Sequence, residues 1–117
     1  MDKRMKNWTL RFRAVDRDNF EKVRTGAKAF ETRAATVKYE PIAAGDTLTF
    51  VCGKASFTKR IAKKHHFRTV GAMVKKIPFK KIMPDVDSVA DMRRRYASYP
   101  GYTEKIREHG LFAFELK

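Results

Sequence analysis

The chain has 117 residues, 27 of them Lys or Arg against 13 Asp or Glu, and a formal charge of +14. That length allows one domain, expected to span residues 1–117, and a hydrophobic fraction of 43% supplies a real core, which excludes a disordered tail. No apolar run approaches the ~20 residues that cross a bilayer, so no membrane partner is expected.

Trp8 to Arg13 alternates apolar and polar residues, the period of a half-buried strand. Asp16 reads as a helix N-cap, with Val15 before it and Phe20 after it placed for a hydrophobic staple. Phe20 and Val23 form the apolar stripe of this short helix, and Gly26 supplies its C-terminal stop. A second strand is predicted around Ala29 to Thr32. After a loop through Pro41, Gly45-Asp46 turns into a strand over Thr47 to Val51, which Gly53 ends. Ser56 to Phe67 reads as a long strand, with Phe57, Ile61 and Lys63 on one side. Val70, Met73, Val74 and Ile77 have helical spacing and Pro78 closes the helix. Ser88 caps another, with Val89, Met92 and Tyr96 on one stripe and Asp91 at the capping-box position. Pro100-Gly101 breaks it, a short helix near Glu104 to His109 ends at Gly110, and Leu111 to Leu116 is expected to alternate as a final strand. Mostly non-local strands with interspersed short helices predict an α+β fold, a small mixed β-barrel with flanking helices.

Between Thr47 and Met83 there is no acidic residue, while ten Lys and Arg residues, from Lys54 to Lys81, fall in that stretch. Such a block attracts polyanions and speeds their encounter; a solvated face kept basic for solubility is the alternative. Cys52, the one cysteine, excludes an internal disulfide and a multi-cysteine zinc site, and is expected as a small buried hydrophobe. The first eight residues carry charge without an apolar segment behind it, so no secretory leader is expected and a reducing, cytoplasmic setting fits. His65 and His66 are adjacent and face opposite ways on a strand, His109 is distant, and no carboxylate cluster has ligand spacing. No metal and no cofactor are expected. Among the aromatic residues, Tyr99 and Tyr102 near a turn could stack on bases, whereas Trp8 and Tyr96 read as core.

The chemically dense segment is Gly26-Ala27-Lys28-Ala29-Phe30-Glu31-Thr32-Arg33, with pattern G-x-K-x-x-E-x-R. Three ionisable groups of both signs at the start of a strand contribute little to a core, because charges resist burial unless paired. In a cleft Lys28 can serve as a base or a point-charge clamp, Glu31 can move a proton or hold the cations, and Arg33 offers a planar fork to a phosphate or carbonyl. The structural alternative is an ion cluster on a sheet face. On a regular strand Glu31 and Arg33 share one side and Lys28 has the other parity, so all three converge only if the backbone after Gly26 is irregular.

The series Phe20-x-x-Val23-x-x-Gly26-x-Lys28-x-x-Glu31-x-Arg33, followed by Ile42-x-x-Gly45-Asp46-x-Leu48-x-Phe50, resembles the ASCH domain of the PUA-like superfamily. The order of elements fits that domain over nearly the whole chain. The resemblance implies a small β-barrel whose cleft is lined by the motif, and RNA or nucleotide binding. One branch resembles hydrolases that deacetylate N4-acetylcytidine with a Lys, a Thr and a Glu. By position the lysine falls on Lys28, the threonine falls on Glu31, and the glutamate has no counterpart before Asp85 or Asp87. Other members have been proposed to cleave RNA.

The expectation that follows is a nucleic-acid-binding module. Lys59, Arg60, Lys63 and Lys64 would meet phosphates, while Lys28 and Arg33, with Tyr99 nearby, would hold one nucleotide. The competing expectation is an enzyme, an amidohydrolase on a modified nucleoside or a ribonuclease, with Lys28 and Glu31 catalytic.

Overall fold

Apolar residues at every second position of three strands build the first half of the molecule. In a computed structural model, which describes residues 5–117, β1 (Asn7–Phe12), β3 (Thr47–Cys52) and β4 (Ala55–Phe67) lie side by side. β1 runs parallel to β3, and β4 runs antiparallel to β3. Their register sets Trp8 against Leu48, Leu10 against Phe50 and Phe50 against Phe57, so one face of all three strands is apolar. β5 (Leu111–Leu116) and β2 (Phe30–Ala34) extend the sheet in the order β1-β3-β4-β5-β2. The five strands curl into a half-barrel, α+β with four short helices. Among the described residues no helix is long and apolar enough to cross a membrane. Residues 1–4, part of the segment read for a leader, lie outside the described residues.

Two cores share β5. On the concave side, Leu10, Leu48, Phe50, Ile61, Phe112 and Phe114 pack against Phe20 and Val23 of α1 (Arg17–Thr25). On the other side, Leu111 and Ala113 pack with Met73, Ile82, Met92 and Tyr96, beneath α2 (Val70–Lys76), α3 (Val89–Ser98) and α4 (Tyr102–His109). Burial on both faces explains why β5 opens with an unbroken apolar run, Leu111-Phe112-Ala113-Phe114, rather than an alternation. Cys52 is buried, as expected.

The local signals at the helix ends hold in part. Gly26 is left-handed at φ 89° and stops α1, and Ser88 Oγ accepts from Asp91 N at 3.1 Å. Thr69 caps α2 by accepting from Ala72 N. The start of α1 departs from expectation. Val15 is 80% exposed, so no hydrophobic staple forms, and the Asp16 carboxylate accepts from Arg13 Nε instead of capping the helix. A single 3-10 turn over Ala14–Asp16 intervenes and rotates Val15 away from Phe20.

One residue also changes the side assignment along β4. Ile61 pairs with Leu116 and Lys63 with Glu115, leaving Ala62 as an extra residue in a bulge. A bulge inverts side-chain parity beyond it. Lys63 therefore leaves the side that holds Phe57 and Ile61, correcting the prediction that the three share it.

Candidate functional site

β1 and β2 are the two ends of the curled sheet and are not paired with each other. Between them opens a cavity of about 290 Å³. Arg11, Phe12 and Arg13 border it from β1 and the residue after it, and Lys28, Glu31, Thr32 and Arg33 from β2 and its approach. Tyr96, Tyr99 and Tyr102 close it from the α3–α4 corner, with Met83 beside Lys28.

The motif converges because the chain between Gly26 and Phe30 is neither helix nor strand. Lys28 N donates back to Lys22 O at 2.9 Å, and Ala29 N donates to Lys81 O at 2.8 Å. Only at Phe30 does regular pairing with β5 begin, with Phe30 opposite Glu115. The parity conflict between Lys28 and the Glu31/Arg33 pair is thereby resolved, and the second strand is shifted to Phe30–Ala34 from the predicted start at Ala29. Glu31 and Arg33 stand opposite Phe114 and Phe112, on the concave side. Thr32 stands opposite Ala113, on the helix side. Both sets line one cavity because β2 is an edge strand whose free edge forms the wall.

Each ionisable group has a distinct environment. The Lys28 side chain is buried, and its Nζ donates to Ile82 O at 2.8 Å. Burial pushes its pKa below the ordinary lysine value; the Glu31 charge opposes that shift and the Arg33 charge adds to it. Glu31 is 4% exposed. Its Oε2 accepts from Arg33 Nε at 2.8 Å, whereas Oε1 is buried with no hydrogen-bond partner among the described residues. Arg33 is also flanked by the rings of Phe12 and Tyr39, 5.6 and 5.7 Å from its guanidinium carbon. Burial works against its charge, but the charge and hydrogen bond of Glu31, together with Tyr39 and Tyr102, outweigh burial and raise its pKa.

The three tyrosines pack against one another as an aromatic cluster. Tyr96 and Tyr102 are parallel, 7° apart at 6.4 Å, and Tyr99 meets both edge-on. The Tyr96 hydroxyl forms a short hydrogen bond with Thr32 Oγ1, and Tyr102 Oη accepts from Ala34 N at 3.5 Å. Burial pushes the pKa values of all three upward. Tyr99, named from the sequence as a stacking residue, lines the cavity; Tyr96, read as core, is buried and borders it as well.

The other four predicted contacts lie elsewhere. Lys59, Arg60, Lys63 and Lys64 sit on β4, the central strand, and none lines the cavity. They do not share a face either. Lys59 pairs with core residue Leu48 and Lys64 with core residue Phe114, while Arg60 and Lys63 point the other way. Lys64 Nζ donates to Glu40 O at 2.7 Å and lies 4.2 Å from the centre of the Phe112 ring. Arg60 Nη1 donates to Gly45 O at 3.2 Å. The picture of one positive face built from these four is corrected by alternation and by the Ala62 bulge. No group of three metal-ligating side chains occurs among the described residues. Arg11, Arg13 and Thr32 border the cavity without having been singled out as site residues, and Tyr102, read with Tyr99 as able to stack on bases, borders it as well. Arg11 and Arg13 do flank Phe12 in the alternating first strand, but only the pairing of β1 with β3 brings them opposite the motif.

No family model matches this chain, and a search of curated proteins finds no match. Solved structures do resemble it. The crystal structure of the hypothetical protein PH0355 superposes with a TM-score of 0.82 at 21% identity, covering 95% of this chain and 97% of that one. The solution structure of protein PF0455 from Pyrococcus furiosus gives a TM-score of 0.73 at 22% identity, covering 97% and 96%. At such identities the likeness establishes a shared fold over nearly the whole chain and nothing about activity.

Proposed function

We propose that this chain is an ASCH-type module that binds single-stranded RNA and seats one nucleotide in the cavity between β1 and β2. The observation that carries this reading is the convergence of Lys28, Glu31 and Arg33 on one open cavity instead of a closed surface cluster. The tyrosine cluster supplies aromatic rings with hydroxyl tips, suited to a base. The +14 charge supplies the long-range attraction for a polyanion. Arg11 and Arg13 at the rim take the role of the near phosphate contacts, and the β4 lysines contribute to the general field.

Fluorescence anisotropy with a labelled single-stranded RNA, repeated over a salt series, tests it. Affinity should fall steeply with salt, each phosphate contact adding roughly −0.7 to the logarithmic slope. An RNA that fails to bind at low salt, or binds equally at all salt concentrations, overturns the proposal.

A second reading, a hydrolase on a modified nucleoside, is favoured by one arrangement. Lys28 is buried with a lowered pKa in a cavity that Glu31 and Thr32 also line. Incubation with N4-acetylcytidine should then release cytidine, and Lys28→Ala should abolish the release. No turnover alongside tight RNA binding leaves the binding module.

A further inference from the structure

The helices cover only part of the outer side of the curled sheet. The helix-side core draws on β5, β2 and the end of β4, and on no residue of β1 or β3. Leu10, Leu48 and Phe50 take one side of those two strands into the concave core, so alternation sends their neighbours outward. Register lines these neighbours up across β1, β3 and β4. Asn7, Thr47 and Arg60 form one row, and Thr9, Thr49 and Thr58 the next. A third row runs from Arg11 through Val51 to Ser56. The three rows hold no acidic side chain and no aromatic ring.

The polar groups of this face are set out as donors. Asn7 Oδ1 accepts from the hydroxyls of Thr47 at 2.8 Å and Thr49 at 3.0 Å, which fixes the exposed amide and leaves its NH2 to donate outward. Arg11 and Arg60 are exposed at opposite corners, and neither has an ion-pair partner among the described residues. Strand spacing and rise put those corners roughly 16 Å apart. Donors with two unneutralised cations suit phosphate oxygens, and the lack of a ring leaves no platform for a base. Arg11 also borders the cavity, so the face and the cavity are continuous. We infer that the outer face of β1, β3 and β4 is a track for the sugar–phosphate backbone of single-stranded RNA, running from Arg11 at the cavity rim across the Asn7 amide to Arg60. This inference rests on the reading that the chain binds single-stranded RNA, and adds the surface that carries the backbone beyond the cavity.

Anisotropy with a labelled oligouridine about ten nucleotides long, on proteins checked for an unchanged melting temperature, tests it. Asn7→Asp can keep both threonine bonds while placing a negative charge on the track, and should weaken binding at least about tenfold at low salt. Ala90→Asp makes the same change of net charge at an exposed position on α3, off the track, and should weaken it far less. Arg60→Ala should flatten the logarithmic salt slope by about 0.7, the share of one phosphate contact, and Arg60→Lys should restore it. RNA binding that responds equally to Asn7→Asp and Ala90→Asp, or a slope that Arg60→Ala leaves alone, overturns the inference and leaves the RNA reading standing. Displacement of the RNA by polyglutamate as readily as by unlabelled oligouridine overturns it in favour of an acidic protein partner. Weakened binding in the track variants but not in Tyr102→Leu supports the inference and removes the cavity seat. A wild-type protein that ignores RNA at low salt removes both.

Discussion

Replacing Glu31 by Gln and Arg33 by Met, singly and together, measures how far the cavity is withdrawn from water. Glu31 is 4% exposed and the Arg33 side chain 19%, with Nε and Oε2 at 2.8 Å. Unit charges about 4 Å apart attract by about 4 kcal/mol at an effective dielectric of ~20, and desolvation offsets part of that. A hydrogen bond to a charged group contributes about 1.5–3 kcal/mol net, so a coupling energy of about 2 kcal/mol is expected from the double-mutant cycle. Glu31→Gln alone should cost about 2–3 kcal/mol, because it leaves the guanidinium beside Phe12 and Tyr39 without its counter-charge. The double variant should recover much of that loss, since Met packs against the same rings without needing a partner. Urea unfolding of the four proteins at low and high salt gives the coupling directly. A value below about 0.5 kcal/mol, or one that vanishes with salt, is what an exposed pair shows and would refute the claim of a desolvated site.

Asp46 offers a test by pH. Burial alone would raise its pKa, but bonds from the Trp8 indole at 2.9 Å, Lys6 N at 3.1 Å and Ala43 N at 3.0 Å outweigh burial and lower it. A folded pKa below the unfolded value of about 3.9 stabilises the protein above that pH, and the contribution fades as pH falls through the folded value. Asp46→Asn should cost about 1–2 kcal/mol at neutral pH, and the gap in thermal stability should narrow below about pH 4; a gap constant with pH counts against it. Lys28 has the opposite linkage. Its lowered folded pKa makes the unfolded chain bind the proton more strongly, so wild-type stability should rise relative to Lys28→Met as pH climbs toward about 10. Urea unfolding across that range checks this, and parallel curves for the two proteins would contradict it. Two glycines should respond unequally to alanine. Gly26 at φ +89° faces open space and should cost about 1–2 kcal/mol, whereas at Gly110, φ +79°, a Cβ would sit 2.4 Å from Phe67 O and cost about 3 kcal/mol or more. Equal losses of melting temperature would show that the close approach at Gly110 is not real.

Local patterns determined much of this protein. Alternation placed β1 and β3 and spacing placed α2 and α3, because period and stop signals are properties of neighbouring residues. The Gly26 stop and the G-x-K-x-x-E-x-R charges marked the segment that lines the cavity for the same reason. Side assignment along β4 was not legible, since the Ala62 bulge depends on how β4 meets β5 and inverts Lys63. Nor was the Val15 reversal, which one 3-10 turn decides.

Only the tertiary structure could decide what surrounds the motif. Pairing β1 with β3 and β2 with β5 leaves β1 and β2 as the ends of a curled sheet, and their separation is the cavity. That arrangement brings Arg11 and Tyr102 to Lys28 and keeps the β4 cations away from it. It also leaves Glu31, which is buried, with one oxygen paired to Arg33 and the other without a partner among the described residues. The sequence determined which residues carry charge near Gly26; the closure of non-local strands determined which of those charges remain unanswered.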